Sequence, residues 1–148
     1  MFADADPEVM EPRDFALLVR NTPTRELKEV MQTGQRRVIL DGIFGRMPRL
    51  FRADRAGATE AVIHWRVGGG PDGGDDTYEL VIAGGTCRLS PEPSGRPRLT
   101  LSLGAVDFLN LVTSNANPVA MFVKGKMKAK GDIGLVMKVP TLFDIPKV

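Results

Sequence analysis

The order in which hydrophobic periods follow one another predicts an α+β domain built on a mainly antiparallel sheet. Three observations carry this. Residues 12–51 repeat their apolar side chains every three or four positions, the period of a helix. Residues 58–103 then alternate with period two, in four short runs separated by Gly- and Pro-containing turns. After Leu103 the helical period returns, interrupted by one short alternating run of lysines. Consecutive strands joined by short turns pair antiparallel, whereas parallel neighbours need a longer crossover.

Taken in order, residues 1–11 are acidic and lack an apolar core segment, so they are expected to form a loose acidic leader and not a signal peptide. Residues 12–148 are expected to form a single domain, as suits a chain of 148 residues. Pro12 opens the first helix, which holds Phe15, Leu17, Leu18 and Val19. Thr24 is a candidate N-cap for a second, with Leu27, Val30 and Met31 at helical spacing, and Gly34 is expected to break it. The third helix covers about 35–51, with Ile39, Ile43, Met47 and Leu50 on one stripe; Pro48 should end or kink it. Arg36, Arg37, Arg46, Arg49 and Arg52 flank that stripe, which suits either a helix lying on a membrane or an ordinary solvated face.

The strands follow. ATEAVIHWRV (58–67) puts Ile63, Trp65 and Val67 on one face and His64 and Arg66 on the other. DTYELVIAG puts Tyr78, Leu80 and Ile82 together, and Gly84-Gly85 turns the chain into TCRLS. After the turn PEPSGRP, RLTLSL sets Leu99, Leu101 and Leu103 against Thr100 and Ser102. Two short helices hold Phe108, Leu109, Leu111 and Val112, then Met121 and Phe122, the second opened by Asn117-Pro118. KMKAK reads as a fifth, short strand ended by Gly131, and Asp132 as the cap of a last helix, IGLVMKV, before Pro140.

Composition excludes several classes of function. Hydrophobic residues make up 43% and charged residues 26%, an ordinary globular balance, and the net charge of +2 is too small to imply nucleic acid. No aromatics interleave with the lysines to stack bases, so no nucleic-acid partner is expected. With a single cysteine, Cys87, the chain forms no internal disulfide, and no apolar run is as long as a membrane span; a cytoplasmic location is expected. His64 and Cys87 are the only residues of their kinds, too few for a His/Cys metal site, and both sit mid-strand, where structural roles are the rule. The loop GGGPDGGDD leads into a strand and lacks the Lys-Ser/Thr of a phosphate loop. No catalytic residues, metal or cofactor are expected.

Two features remain. The apolar content of the sheet and the late helices is generous, and it either packs as solid core or lines a cavity, to which flexible methionine walls are suited. The run MFVKGKMKAKG alternates Lys124, Lys126, Lys128 and Lys130, which puts all four on one strand face. They either keep a sheet edge from pairing with another chain or contact an anion such as a lipid head group, a membrane or acyl-CoA phosphates.

From Leu99 to Phe143 the sequence resembles the sterol carrier protein 2 domain family. An apolar strand is followed by Asp107-Phe108-Leu109, then Asn117-Pro118, then Phe122 to Lys128 in an F-x-x-G-K-x-K pattern, then Gly131 to Lys138. Residues 58–96 follow the family more loosely, and Val136 stands where Ala is common. The resemblance implies a five-stranded, mostly antiparallel sheet with helices on one face and an apolar tunnel between the layers. It implies non-catalytic binding or transfer of a sterol, fatty acid or fatty acyl-CoA. On this basis the tunnel wall is expected to include Ile63, Trp65, Leu80, Leu101, Phe108, Val112, Met121, Phe122, Leu135, Leu142 and Phe143, with Lys124, Lys126 and Lys128 near an anionic head group or membrane. The alternative is an accessory subunit with a filled core, serving a partner enzyme of acyl or steroid metabolism.

Overall fold

A computed structural model of the chain describes residues 1–93 and 95–145. Ser94 of the PEPSGRP turn and residues 146–148 of the expected domain lie outside the described residues. Among the described residues seven α-helices and five strands follow one another, in the expected order except for the unexpected short α4: α1 Pro12–Asn21, α2 Thr24–Val30, α3 Gln35–Leu50, α4 Ala53–Ala56, β1 Ala61–Val67, β2 Asp76–Ala83, β3 Thr86–Ser90, β4 Leu99–Leu103, α5 Ala105–Val112, α6 Pro118–Val123, β5 Met127–Gly131 and α7 Gly134–Lys138. None of these helices is long and apolar enough to cross a membrane.

The sheet order is β3-β2-β1-β4-β5. Three of the pairings are antiparallel and one, β1 with β4, is parallel. The first three strands form a meander, and the chain must then return across the sheet to reach the free side of β1, which fixes the parallel direction. The returning segment is tied to the outer face, where Gly95 N–H donates to Glu79 (2.8 Å) and Arg98 N–H to the Val62 carbonyl (2.8 Å). Beneath it His64 Nε2 lies 2.8 Å from the buried Glu79 carboxylate. Burial acts to raise the Glu79 carboxyl, but these hydrogen bonds outweigh it and leave the group below the usual carboxylate range.

Helices cover the other face. Burial alternates along β1 and β4, with Ile63, Trp65, Val67, Leu99, Leu101 and Leu103 inward. α3 lays Ile39, Leu40, Ile43, Phe44 and Met47 onto them. The two ends of α3 are held by arginines that the sequence shows only as flanking charge. Arg36, 4% exposed, donates to Asp76 (2.8 Å), the Val67 carbonyl (2.6 Å) and the Gly68 carbonyl (3.0 Å). Arg46, also 4% exposed, lies over the Phe15 ring and donates to the Pro7 carbonyl; burial, then Arg49, lowers it to about 10. With its apolar stripe in the core and two of its four arginines buried, α3 does not have the free amphipathic surface that a membrane-lying helix needs.

Four further expectations are corrected. The loose leader is packed: Phe2 is fully buried, stacks on Phe15 and heads a short 3-10 turn, and Gln35 donates to the Ala5 carbonyl. Gly42 makes this possible, because a Cβ there would approach Pro7 Cγ to 2.9 Å. Pro48 does not end α3, which runs on to Leu50, because so close to the C-terminus only a few hydrogen bonds lie beyond it. The lysine ladder is not one strand face: Lys124 caps α6, Gly125 turns the chain with φ 75°, and only Lys128 and Lys130 lie on β5. Alternation in sequence cannot register that a left-handed glycine resets the period between Lys124 and Lys128. Asp132 accepts from the Gly134 N–H but precedes the N-cap position, held by Ile133.

Candidate functional site

The interface between sheet and helices divides into a closed part and an open part. In the closed part Phe44 stacks on Tyr78 (4.1 Å between ring centres) and on Phe108 (5.2 Å), and Trp65 meets Phe108 edge-on at 5.6 Å. Tyr78 donates to Asp41 (2.6 Å); burial and that carboxylate push its phenol up. Ile63, Leu80 and Leu101 complete this solid core.

At the other end lies a partly open cavity of about 610 Å³. Its apolar wall is Met47 from α3, Trp65 from β1, Leu111 and Val112 from α5, and Val139, Pro140, Phe143 and Ile145 from the C-terminal segment. A polar stretch, Ser114, Asn115 and Asn117, closes one side, and Arg52, Arg55, Thr141 and Asp144 stand around the rest. The volume falls in the range of small-molecule sites, and the wall is mixed, with ten apolar residues and seven polar ones among the described residues.

Local structure explains each wall. After α3 the chain pairs with the C-terminal segment: Arg52 N–H donates to the Leu142 carbonyl, Asp144 N–H to the Leu50 carbonyl, and Phe51 and Phe143 form an isolated bridge with their rings at 5.9 Å. That pairing holds Phe143 over the cavity. On the opposite side Thr113 donates to the Leu109 carbonyl, Asn115 reaches the Ala16 carbonyl, and Ser114 adopts a left-handed φ of 60°, uncommon for a residue with a Cβ. Asn117 then caps α6, accepting from the N–H groups of Val119 and Ala120. These bonds lead the chain around the rim instead of across the opening.

The two rim arginines differ. Arg52 grips Asp54 with two hydrogen bonds of 3.0 Å, which holds its guanidinium above its usual value and the Asp54 carboxyl below its own. Arg55 makes no ion pair among the described residues. The cavity wall contains no histidine, and Asp144 is its one carboxylate among the described residues. The indole N–H of Trp65 is enclosed within the wall and has no acceptor among the described residues.

Of the residues expected at a tunnel wall, Trp65, Val112 and Phe143 border the cavity. Ile63, Leu80, Leu101, Phe108, Met121, Leu135 and Leu142 are buried in the surrounding core, and Phe122 is half-buried against it. Lys126 and Lys128 face a separate shallow depression with Arg66 and Ser102, and Lys124 lies exposed at the end of α6. Sequence reasoning missed Met47, Arg52, Arg55, Leu111, the 114–117 rim and Val139–Thr141. The available signal was the break in helical period at Ser114–Asn117, a polar run between two apolar helices.

A model of the SCP-2 sterol transfer family matches residues 45–144. The chain belongs to that family. It is 31% identical over 81 residues to human sterol carrier protein 2, covering 55% of this chain and 15% of that protein. It is 34% identical over 86 residues to rat hydroxysteroid dehydrogenase-like protein 2, covering 58% of this chain and 16% of that protein. The chain thus spans a small part of the curated relatives it matches. The fold is shared with palmitated SCP2L2 from Aedes aegypti (TM-score 0.54, 16% identity, 74% of this chain and 98% of that one). It is shared also with part of the sec-alkylsulfatase Pisa1 from Pseudomonas sp. (TM-score 0.60, 13% identity, 76% of this chain and 17% of that one).

Proposed function

We propose that the chain binds a lipid with a long apolar part and an anionic end, a fatty acid or fatty acyl-CoA, in the 610 Å³ cavity and releases it chemically unchanged. One observation carries the reading: a pocket floored by Trp65, Val112 and Phe143 has at its rim a guanidinium, Arg55, without an ion-pair partner among the described residues. Burying the apolar part contributes about 25 cal/mol per Å² and sets no sharp chain-length limit, since one methylene is worth ~1–3 kcal/mol. Arg55 supplies the directional part, because a guanidinium can hold a carboxylate through two hydrogen bonds. Membership of a sterol transfer family and the palmitated relative of the same fold support lipid as the ligand class.

Native mass spectrometry with organic extraction tests for the ligand, expected as fatty acid at near one per chain. The variant Arg55→Ala should weaken fatty-acid binding about two- to fivefold and leave binding of an uncharged sterol unchanged. Equal loss of both would remove Arg55 from head-group recognition; no binding of either by the wild type would remove the cavity from the function. A second reading, a module that supports an enzyme of acyl or steroid metabolism, draws on the match to part of a much longer hydroxysteroid dehydrogenase-like protein. Co-purification with such an enzyme, together with an empty cavity, would favour it.

A further inference from the structure

The sheet ends at β5 with one side of that strand unpaired. In the order β3-β2-β1-β4-β5 its strand partner, among the described residues, is β4 alone. The Asp132 N–H bonds to the Arg98 carbonyl at 2.8 Å, and antiparallel pairing alternates, so the backbone groups of Lys130 and Lys128 also face β4. Those of Ala129 and Met127 therefore face the open edge, and among the described residues they have no backbone partner there. Ala129, on the inner face opposite Leu101, is only half-buried, and the adjoining α6 leaves Val123 80% exposed.

The outer face of the same edge is basic. Lys128 stands opposite Ser102 and Lys130 opposite Thr100, so both lysines lie on the sheet face away from the helices. Lys126, Lys128, Arg66 and Ser102 border a shallow depression of about 450 Å³. Among the described residues Lys126, Lys128 and Lys130 make no ion pair. The neighbouring acids are engaged, Asp75 with Arg66 at 2.7 Å and Asp132 with Arg98 at 2.8 Å.

An unpaired strand edge is a template for another strand, and the charge along it selects which one. A second copy of this chain is disfavoured. Two β5 strands paired about Ala129 would set Lys128 opposite Lys130 twice on one face, and like charges directly opposite repel. We propose that β5 accepts an extended segment of an acidic partner protein as a sixth strand of the sheet. The added strand alternates. Its carboxylates lie on the outer face against Lys126, Lys128 and Lys130, and its apolar residues turn inward beside Ala129 and Val123. Main-chain hydrogen bonds to Met127 and Ala129 supply the attachment, and the lysines supply the choice of partner. The inference is independent of the lipid-binding reading, whose cavity takes no wall residue from β5 among the described residues.

The test uses the full chain and a short peptide of alternating glutamate and valine, followed by fluorescence anisotropy and amide hydrogen exchange. Binding should weaken with salt. The Ala129 amide should gain protection, while those of Lys128 and Lys130, already bonded to β4, change little. The same peptide N-methylated along its pairing edge should not bind. Lys128→Glu with Lys130→Glu should weaken binding about tenfold, and a peptide of alternating lysine and valine should then bind in its place. Ala129→Pro removes an N–H that points away from β4 and should also weaken binding. Circular dichroism should match the wild type in both variants; if Ala129→Pro unfolds, the charge swap and its matched peptide decide. No binding of the glutamate–valine peptide to the wild type overturns the proposal. So does equal binding of an all-glutamate peptide without protection of Ala129, which would make the lysines a diffuse anion patch. A dimer that forms without peptide and is lost in Ala129→Pro overturns it in favour of pairing between copies. Fatty-acid binding, measured in parallel, should be the same with and without peptide, so the cavity reading stands or falls separately.

Discussion

The two ends of the helix–sheet interface use similar residues to opposite effect. Around Phe44 the rings of Tyr78 and Phe108 stack and Trp65 meets them edge-on, so the space between α3 and the sheet is filled. One helical turn along α3, Met47 faces a cavity that runs from Trp65 to Phe143. The difference lies in what stands opposite the sheet. α3 and the start of α5 bring aromatic rings down onto β1, whereas the end of α5 gives way to Ser114–Asn117, whose hydrogen bonds hold the chain at the rim. An apolar surface becomes a pocket where the element that would cover it is tied elsewhere, and the cost is lost dispersion contact along the wall.

Three substitutions would break or sharpen this contrast. The largest effect is expected from Phe44→Ala, which removes the centre of the aromatic cluster and should cost about 3–5 kcal/mol in denaturant unfolding. A cost below ~1 kcal/mol would mean that the closed end is not well packed. Next, Ala116→Trp projects a large side chain into the open end. Fatty-acid affinity should fall tenfold or more while stability stays within about 1 kcal/mol of the wild type. Destabilisation as deep as that of Phe44→Ala would erase the distinction between the two ends. The smallest effect belongs to Trp65, which belongs to both regions. Trp65→Phe loses apolar contact but also removes a buried N–H without an acceptor, a group that costs ~1–3 kcal/mol. The two changes oppose each other, so stability should shift by less than about 1 kcal/mol. A loss of several kcal/mol would mean that the N–H does have a partner in solution.

The layers were legible in the sequence because period and turn chemistry are local. Ile63, Trp65 and Val67 announce the inward face of β1 by alternation alone, and the structure has them buried. Asn117-Pro118 announces the start of α6, and Asn117 caps it. The site was legible only in part. Trp65, Val112 and Phe143 could be picked out as inward and apolar, but so could Ile63, Leu80 and Leu101, and nothing local separates a residue that meets empty space from one that meets Phe44. Arg36 and Arg46 were misjudged for a similar reason. As helix flanks they read as solvated charge, and their burial depends on the carbonyls of Val67 and Pro7, 31 and 39 residues distant.

By itself the sequence determined the succession of helix, sheet and helix, the inward face of each strand, and the signature of a sterol-transfer family domain between residues 45 and 144. These depend on backbone period, on proline and glycine geometry and on ordered short motifs, all written in neighbouring residues. Only the tertiary structure decided that β4 would run parallel to β1, that the leader would pack on Gly42, that the lysines would divide between a helix end and an edge strand, and that the cavity would open between Met47 and Phe143. Each of these depends on which distant surface a segment meets, and hydrophobic burial, the force that brings such surfaces together, carries no direction of its own.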